Sequence, residues 1–320
     1  MTFILAINLS DRIYLAADTL VSKRVGDKKE PAGYMVKLIS TSSEKLLRKA
    51  SEKPVSESHK PPTVSFMFAG NRSFVHYIFK CINDGLDSEE LSTDINELIK
   101  QIDPYLKKVV PKHEGSLDNR VCKIIGAGCS NANNSVKRFS MENLSNALGP
   151  EAGHIDDPNA VQGIQFGFVN APDQKIFSYT IDDRNGVFGL DEVGEMYSVI
   201  SGGSRQLSSE EKSNLLRYFL SKRNPEAEGK SIVNYMRNQF SDTIGGAITL
   251  GYIDCRKGLI YFGYDIERSG KLHETNWSFR IENKPDRPQF IATSPEGKGY
   301  DLIKGFYDFP GDFKDNDLEL

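Results

Sequence analysis

The sequence is poor in the residues that mark metal centres and histidine-based catalytic sites. It has four cysteines and five histidines among 320 residues, and neither a CxxC nor an HExxH motif. We therefore expect no metal and no cofactor. The cysteines, Cys81, Cys122, Cys129 and Cys255, are expected to be reduced thiols of a cytoplasmic protein, most of them packed as small apolar groups.

An excess of charge and a long apolar run are also missing. The 40 Lys and Arg residues are balanced by 44 Asp and Glu residues, so the net charge is -4. Without a positive excess the chain has no general attraction for nucleic acid. No apolar run approaches the ~20 residues that a bilayer-spanning helix needs, and the first one is interrupted by Asp11 and Arg12. We expect no nucleic-acid partner, no membrane partner and no signal peptide.

The remaining composition suits one large domain with insertions. Hydrophobic residues make up 38% of the chain, enough to bury a core. Residues 41–62 are rich in Ser, Glu, Lys and Pro, which predicts a mobile surface insertion, and the polar stretch 129–159 predicts a second insertion with a short helix around 141–148. Residues 1–265 then form the domain, and 266–320 form a charged C-terminal extension without a catalytic motif.

The opening of the chain predicts a β-hairpin. Two β-prone runs, Phe3–Leu9 and Arg12–Asp18, are joined by two polar residues. Pairing of Leu9 with Arg12 places Asp18 opposite Phe3 and Thr2 opposite Thr19. This brings a carboxylate beside the start of the chain, although the face that Asp18 uses is left open because a shift of one residue would reverse it.

Strands alternate with pairs of helices along the rest of the domain. We predict strands at 64–70, 121–125, 161–169, 175–181, 196–200, 247–253 and 259–264, with a turn at Asn185–Gly186, and helices starting at Asn71 or Ser73 and spanning 91–109, 208–220 and 230–240. This order differs from the single-helix βαβ rhythm of a doubly wound sheet. It predicts an α+β fold, a four-layer αββα sandwich in which two antiparallel sheets face each other beneath outer helices.

Five segments occur in a distinctive order. They are Thr2–Asp18 with Val36–Leu38, Phe68–Gly70 before a helix, Tyr179–Asp182 through Gly186, Ser201–Gly203 after a strand, and Gly245–Gly246 before the last hairpin. In this order they resemble the proteasome β-type subunits and the HslV-like peptidases, over most of residues 2–264. The resemblance implies the fold of the N-terminal nucleophile hydrolases.

The resemblance also implies catalytic roles. Thr2, freed by removal of Met1, would attack a peptide carbonyl, with its own α-amine, of pKa ~7.7–8.0, as the base. Lys37 matches the lysine that lowers the pKa of the nucleophile, Asp18 the carboxylate that holds this lysine, and Ser201 a serine near the amine. Without the resemblance, these three residues read as a surface lysine, a strand-end turn residue and a turn serine.

The chain departs from the family pattern at two places. Met67 stands where the family has glycine in the oxyanion hole, and its side chain is expected to narrow the primary substrate pocket, opposite the substrate-binding segment at Ser22. Asp242 is the shifted counterpart of the family's second aspartate, with no serine directly before Gly245.

Two main functions follow as expectations. The first is a threonine peptidase in a closed homo-oligomeric ring that acts on peptides or unfolded proteins, with an ATPase unfoldase as a partner. The alternative is a catalytically inactive, proteasome-like subunit for assembly or partner binding, favoured by Met67 and by a retained Met1. A third reading is an N-terminal nucleophile amidase that acts on a small amide.

Overall fold

The structure is a computed structural model that describes most of the predicted domain and four strands beyond it. The described residues are 2–9, 12–25, 28–34, 37–41, 64–110, 120–130, 137–140, 165–168, 173–183, 185–220, 225–241, 244–245, 248–254, 258–266, 272–275, 278–283, 288–293 and 299–301. Nearly all of the predicted insertion 41–62, and the expected short helix at 141–148, lie outside these ranges.

The described residues form eighteen strands in antiparallel sheets. The strands are β1 (Phe3–Asn8), β2 (Ile13–Asp18), β3 (Leu20–Val25), β4 (Lys28–Tyr34), β5 (Leu38–Thr41), β6 (Val64–Gly70), β7 (Val121–Cys129), β8 (Lys137–Ser140), β9 (Gln165–Phe168), β10 (Gln174–Asp182), β11 (Val187–Gly194), β12 (Ser198–Gly203), β13 (Ile248–Asp254), β14 (Gly258–Ile266), β15 (Leu272–Thr275), β16 (Ser278–Asn283), β17 (Pro288–Thr293) and β18 (Gly299–Asp301).

Two large sheets organise the domain. One has the order β12-β1-β2-β13-β14-β15 and the other the order β11-β10-β7-β6-β5. Three smaller sheets comprise β16-β17-β18, β3-β4 and β8-β9. The prediction of an α+β fold with two antiparallel sheets is confirmed.

Four helices lie in the described residues. They are α1 (Arg72–Asp87), α2 (Ile95–Val109), α3 (Ser209–Leu220) and α4 (Pro225–Arg237). The predicted start of α1 is confirmed, because the Asn71 side chain accepts a hydrogen bond from the Phe74 N–H at 3.2 Å. Helix α2 begins later than predicted, since Asp94 caps it by accepting the N–H groups of Asn96 and Glu97.

Three hydrophobic clusters show how the elements pack. The first joins α1 and α2 to β6, β7 and β10, and the second joins α3 and α4 to β1, β2, β12 and β13. A third cluster contains alternate residues of both large sheets, among them Ile4 and Ala17 from one sheet and Met67 and Ile125 from the other. Each large sheet therefore buries one face against helices and the other in this shared cluster, which we call the inter-sheet core.

Three elements differ from the sequence prediction. The edge strand β11 was not expected, although the turn before it at Asn185–Gly186 was, and Gly186 has the positive φ of +62° that such a turn favours. Helix α4 begins at Pro225 instead of 230, because proline fits the first turn of a helix. The segment beyond residue 265 includes β15, which continues the six-stranded sheet.

The prediction of reduced cysteines is wrong at one position. Cys129, the last residue of β7, is disulfide-bonded. Cys81 and Cys122 are free thiols in the first hydrophobic cluster, between α1, α2 and the five-stranded sheet. Burial raises the pKa of both thiols and so disfavours the reactive thiolate. Cys255 lies outside the described residues.

We expect Cys129 to react with iodoacetamide only after the protein has been both reduced and denatured. Peptide mapping of the alkylated protein measures this. Alkylation of Cys129 in protein that is denatured but not reduced would contradict the disulfide.

Candidate active site

The opening hairpin brings Asp18 to Phe3, the first residue of β1. Strands β1 and β2 pair in the register from Ile4 opposite Ala17 to Asn8 opposite Ile13, and the Leu9 N–H donates to the Arg12 carbonyl at 2.8 Å. The predicted register is therefore confirmed. At the open end of the hairpin, the Phe3 N–H donates a hydrogen bond to Asp18 Oδ1 at 2.8 Å.

Asp18 is the centre of a buried polar cluster. Its side chain is fully buried, and Oδ1 also accepts from Lys37 Nζ at 3.1 Å, while Oδ2 accepts the Gly245 N–H at 3.2 Å. Lys37 Nζ donates a further bond to the Leu20 carbonyl at 2.6 Å. One carboxylate thus joins a lysine, the N–H that follows Thr2, and the segment just before β13.

Burial dominates the electrostatics of this cluster. It lowers the pKa of Lys37 and raises the pKa of Asp18, and the attraction between the two side chains opposes both shifts. Because both side chains are out of contact with water, removal of either one leaves the other buried without its counter-ion. Asp18 of this buried pair binds the N–H of Phe3, the residue that follows Thr2.

Thr2 itself is nearly buried, with 7% of its surface exposed. Its carbonyl oxygen accepts two hydrogen bonds from Ser204, one from the backbone N–H at 2.8 Å and one from Oγ at 3.1 Å. Sequence reasoning missed Ser204, because the partner of a backbone carbonyl leaves no motif. The only available signal was its position directly after the Ser201–Gly203 segment.

Gly203 makes the contact between Ser204 and Thr2 possible. Its φ is +91°, and a Cβ at this position would lie 1.9 Å from the Thr2 carbonyl oxygen and 3.3 Å from Ala69 Cβ. Both the backbone conformation and the space therefore require glycine here. Ala69, near the end of β6, lies on another side of the same space, so the five-stranded sheet approaches the end of β12 here.

We expect Gly203→Ala to displace either Thr2 or the end of β12. The positive φ alone costs about 1–3 kcal/mol for a residue with a side chain, and the clash with the carbonyl adds to that cost. Gly189→Ala is the matched control, since nothing lies within 4 Å of its added Cβ. Urea unfolding of the two variants measures the difference, and equal stability would contradict the close approach of Gly203 to Thr2.

The remaining polar residues of the predicted site are Ser201, Ser22 and Asp242. Ser201 pairs with Leu5, and its hydroxyl accepts the Leu207 N–H at 2.9 Å. Ser22 is half-buried on β3, beside a bulge. Asp242 lies outside the described residues, although Gly245 close to it contacts both Asp18 and the Leu20 N–H.

Met67 lies within the inter-sheet core. It is fully buried together with Leu38 and Ile125, so its side chain fills the space between the sheets. Its neighbour two residues along the same face is Ala69, whose Cβ lies beside the space left by the missing Gly203 side chain. Gly70, which follows Ala69 and ends β6, is exposed.

A second lysine cluster lies near the end of β12, at Gly202. Lys123 Nζ donates to Asp191 Oδ2 at 2.6 Å and to Thr180 Oγ1 at 3.1 Å, and Lys123 pairs with Ala69 across β6 and β7. A Cβ on Gly202 would lie 3.0 Å from Lys123 Cγ, so the lysine stem packs against the residue before Gly203. A lysine–aspartate pair therefore lies beside the Gly202–Gly203 end of β12, in addition to the Lys37–Asp18 pair.

The described residues contain neither a candidate metal site nor a candidate membrane span. Within these ranges, no group of three or more His, Cys, Asp or Glu side chains is arranged to hold a metal ion. No helix among those given above is both long and apolar enough to cross a membrane.

Comparison with known proteins gives a distant likeness to solved structures. No protein-family profile matches the chain, and no curated protein matches it. A solved structure described as Anbu (ancestral beta-subunit) from Yersinia bercovieri is similar, with a TM-score of 0.45 and 12% sequence identity, over 81% of this chain and 86% of that chain. A likeness this distant defines neither a function nor an assembly.

Proposed function

We propose that this chain is an N-terminal threonine peptidase in which Thr2, once Met1 has been removed, is the nucleophile. The observation that carries the proposal is the buried Lys37–Asp18 pair, whose carboxylate binds the N–H directly after Thr2. A buried ion pair at the first residues of a chain is costly unless it is fully hydrogen-bonded. A catalytic task at Thr2 gives a reason for placing it there.

The proposed reaction needs only groups that the processed chain supplies. The α-amine of Thr2 accepts the proton of Oγ while Oγ forms a bond to the substrate carbonyl carbon. Breakage of the C–N bond releases the amine product, which takes that proton, and leaves an ester on Oγ. Water then cleaves the ester and regenerates the hydroxyl. Positive charge on Lys37 disfavours a second positive charge nearby, which keeps the amine unprotonated near neutral pH.

The proposed substrate path runs between β3 and the end of β6. Ser22 lies on β3, which follows Asp18 in the chain, and the exposed Gly70 ends β6 beside Ala69. An extended peptide between these segments would hydrogen-bond to both backbones, a common mode of peptide recognition. Asp242 is assigned to the same site through its closeness in sequence to Gly245.

The wider proposal follows the family resemblance. It comprises a four-layer αββα domain over residues 1–265 to which β15 adds an edge strand, a closed homo-oligomeric ring, peptide or unfolded-protein substrates, an ATPase unfoldase as a partner, and a cytoplasmic location. The three hydrophobic clusters support the layered arrangement, since each large sheet packs against helices on one face and against the other sheet on the second face.

An inactive subunit for assembly or partner binding is the second candidate. The near-complete burial of Thr2 favours it, because a nucleophile must be reached by its substrate. The two candidates differ in what they require of the chain start. A peptidase of this kind needs the free α-amine of Thr2, whereas an assembly subunit functions equally well with Met1 in place.

We expect Met1 to be absent from the protein made in its native host, because threonine is small enough for methionine aminopeptidase to cleave the preceding bond. Intact-mass spectrometry of the purified chain measures this directly. A population that mainly retains Met1 would contradict the peptidase proposal and favour the inactive subunit.

A further inference from the structure

The peptide group between Thr2 and Phe3 is held at both ends. Its N–H donates to Asp18 Oδ1 at 2.8 Å, and its carbonyl oxygen accepts the N–H and the hydroxyl of Ser204 at 2.8 and 3.1 Å. The hydrogen bonds come from opposite sides, since Asp18 ends β2 and Ser204 follows β12, the two strands that flank β1. This peptide plane therefore cannot rotate without losing several hydrogen bonds.

A fixed orientation of the following peptide group matters most for the first residue of a chain. A processed Thr2 has no preceding peptide bond, so its amine and side chain are oriented only through its own Cα and the peptide group that follows. A nucleophile and base on one residue react fast only if both stay aligned with the substrate, and misplacement by about 1 Å can cost up to about 100-fold in rate.

The local backbone is shaped for this contact. Gly203 takes a φ of +91°, and its missing Cβ leaves the space in which the Thr2 carbonyl meets Ser204. The hydroxyl adds a second donor to an oxygen that the backbone N–H already satisfies. A buried backbone carbonyl needs one hydrogen bond to be satisfied. The bond from the Ser204 hydroxyl is therefore additional to the one that the backbone N–H already makes.

We propose that Ser204 is a positioning residue for the nucleophile, and that its hydroxyl fixes the Thr2 carbonyl and thereby aligns the amine and Oγ of Thr2. The inference rests on the proposed function and goes beyond it, because it gives a role to Ser204, a residue that the sequence analysis did not place in the site. The two donors also withdraw electron density from the carbonyl next to the amine, which disfavours the ammonium form and so acts in the same direction as Lys37.

The test compares three variants of the processed chain. Ser204→Ala removes the hydroxyl and keeps the backbone N–H, whereas Ser204→Thr keeps both donors. Ser198→Ala is the matched control, since Ser198 lies at the other end of β12 and also donates its hydroxyl to a backbone carbonyl, that of Glu195. Intact mass first verifies the loss of Met1 in each protein.

With a fluorogenic peptide, we expect Ser204→Ala to lower kcat by about 10- to 100-fold at nearly constant KM. Ser204→Thr should restore most of the rate, and Ser198→Ala should match the wild type. A wild-type rate in Ser204→Ala, or an equal loss in Ser198→Ala, overturns the inference while the proposed function stands. A wild-type chain without any turnover contradicts the proposed function instead.

A second readout does not depend on turnover. The rate at which acetic anhydride labels the Thr2 α-amine, measured against pH, gives the pKa of that amine. The charged pairs Lys37 with Asp18, which binds the Phe3 N–H, and Lys123 with Asp191 are unchanged in all three variants. We expect the amine pKa to rise in Ser204→Ala and to return in Ser204→Thr. An amine pKa that is the same in the wild type and in Ser204→Ala overturns the inference whether or not the chain is a peptidase.

Discussion

Thr2→Ala is expected to abolish peptide hydrolysis, with a fall in kcat of at least about 10⁴-fold. The substitution removes Oγ, the atom that forms the covalent bond with the substrate, and leaves the α-amine in place. It also leaves the hydrogen bonds of the Thr2 carbonyl to Ser204 and of the Phe3 N–H to Asp18, because residues 2 and 3 make them with backbone atoms. The loss therefore reports on chemistry rather than on folding.

Thr2→Ser is the matched variant for this experiment, since it keeps a hydroxyl and a small residue after Met1. We expect it to retain measurable hydrolysis, and both variants to unfold within a few degrees of the wild type. Rates with a fluorogenic peptide and thermal unfolding measure these outcomes. Wild-type activity in Thr2→Ala would remove Thr2 from the mechanism.

Lys37→Met is expected to impair both activity and stability. Methionine matches much of the lysine stem but removes the ammonium group, which leaves the Asp18 carboxylate buried without its counter-ion. Removal of one partner of a buried ion pair costs about 3–5 kcal/mol. Activity should fall as well, because the charge that keeps the Thr2 amine unprotonated is gone.

The double variant Lys37→Met with Asp18→Asn separates the two effects. Asparagine carries no charge to leave unpaired, so stability should recover in part, whereas activity should stay low because the ammonium is still absent. Lys100→Met is the control, since its ion pair with Glu97 is exposed and should contribute nothing measurable. Urea unfolding and peptide hydrolysis are the measurements. Unchanged stability in Lys37→Met would contradict the buried pair.

The beginning of the domain could be predicted from sequence because its signals are local. The two-residue connection between apolar runs defines the register of β1 and β2, and with it the meeting of Asp18 and Phe3. Strand β11 escaped prediction because it is an exposed edge strand, whose side chains lack the regular alternation of a half-buried strand.

The site could be predicted only in part, because two of its features depend on tertiary packing. Residues 64–69 are all buried, so the sequence of β6 does not show which face each side chain takes. The structure turns Phe66 and Phe68 toward the helices and Met67 toward the other sheet. Ser204 contacts a backbone atom 202 residues away, and no residue pattern records such a partner.

Covalent capture of the nucleophile tests the central claim most directly. A peptide β-lactone is opened by attack of a hydroxyl on its carbonyl, which forms an ester and releases no leaving group. After incubation of the processed chain with this reagent, intact mass and peptide mapping locate the ester. We predict one adduct per chain, on Thr2, which is absent from Thr2→Ala. An adduct on another residue, or no adduct on a chain verified to begin at Thr2, would contradict the assignment of Thr2 as the nucleophile.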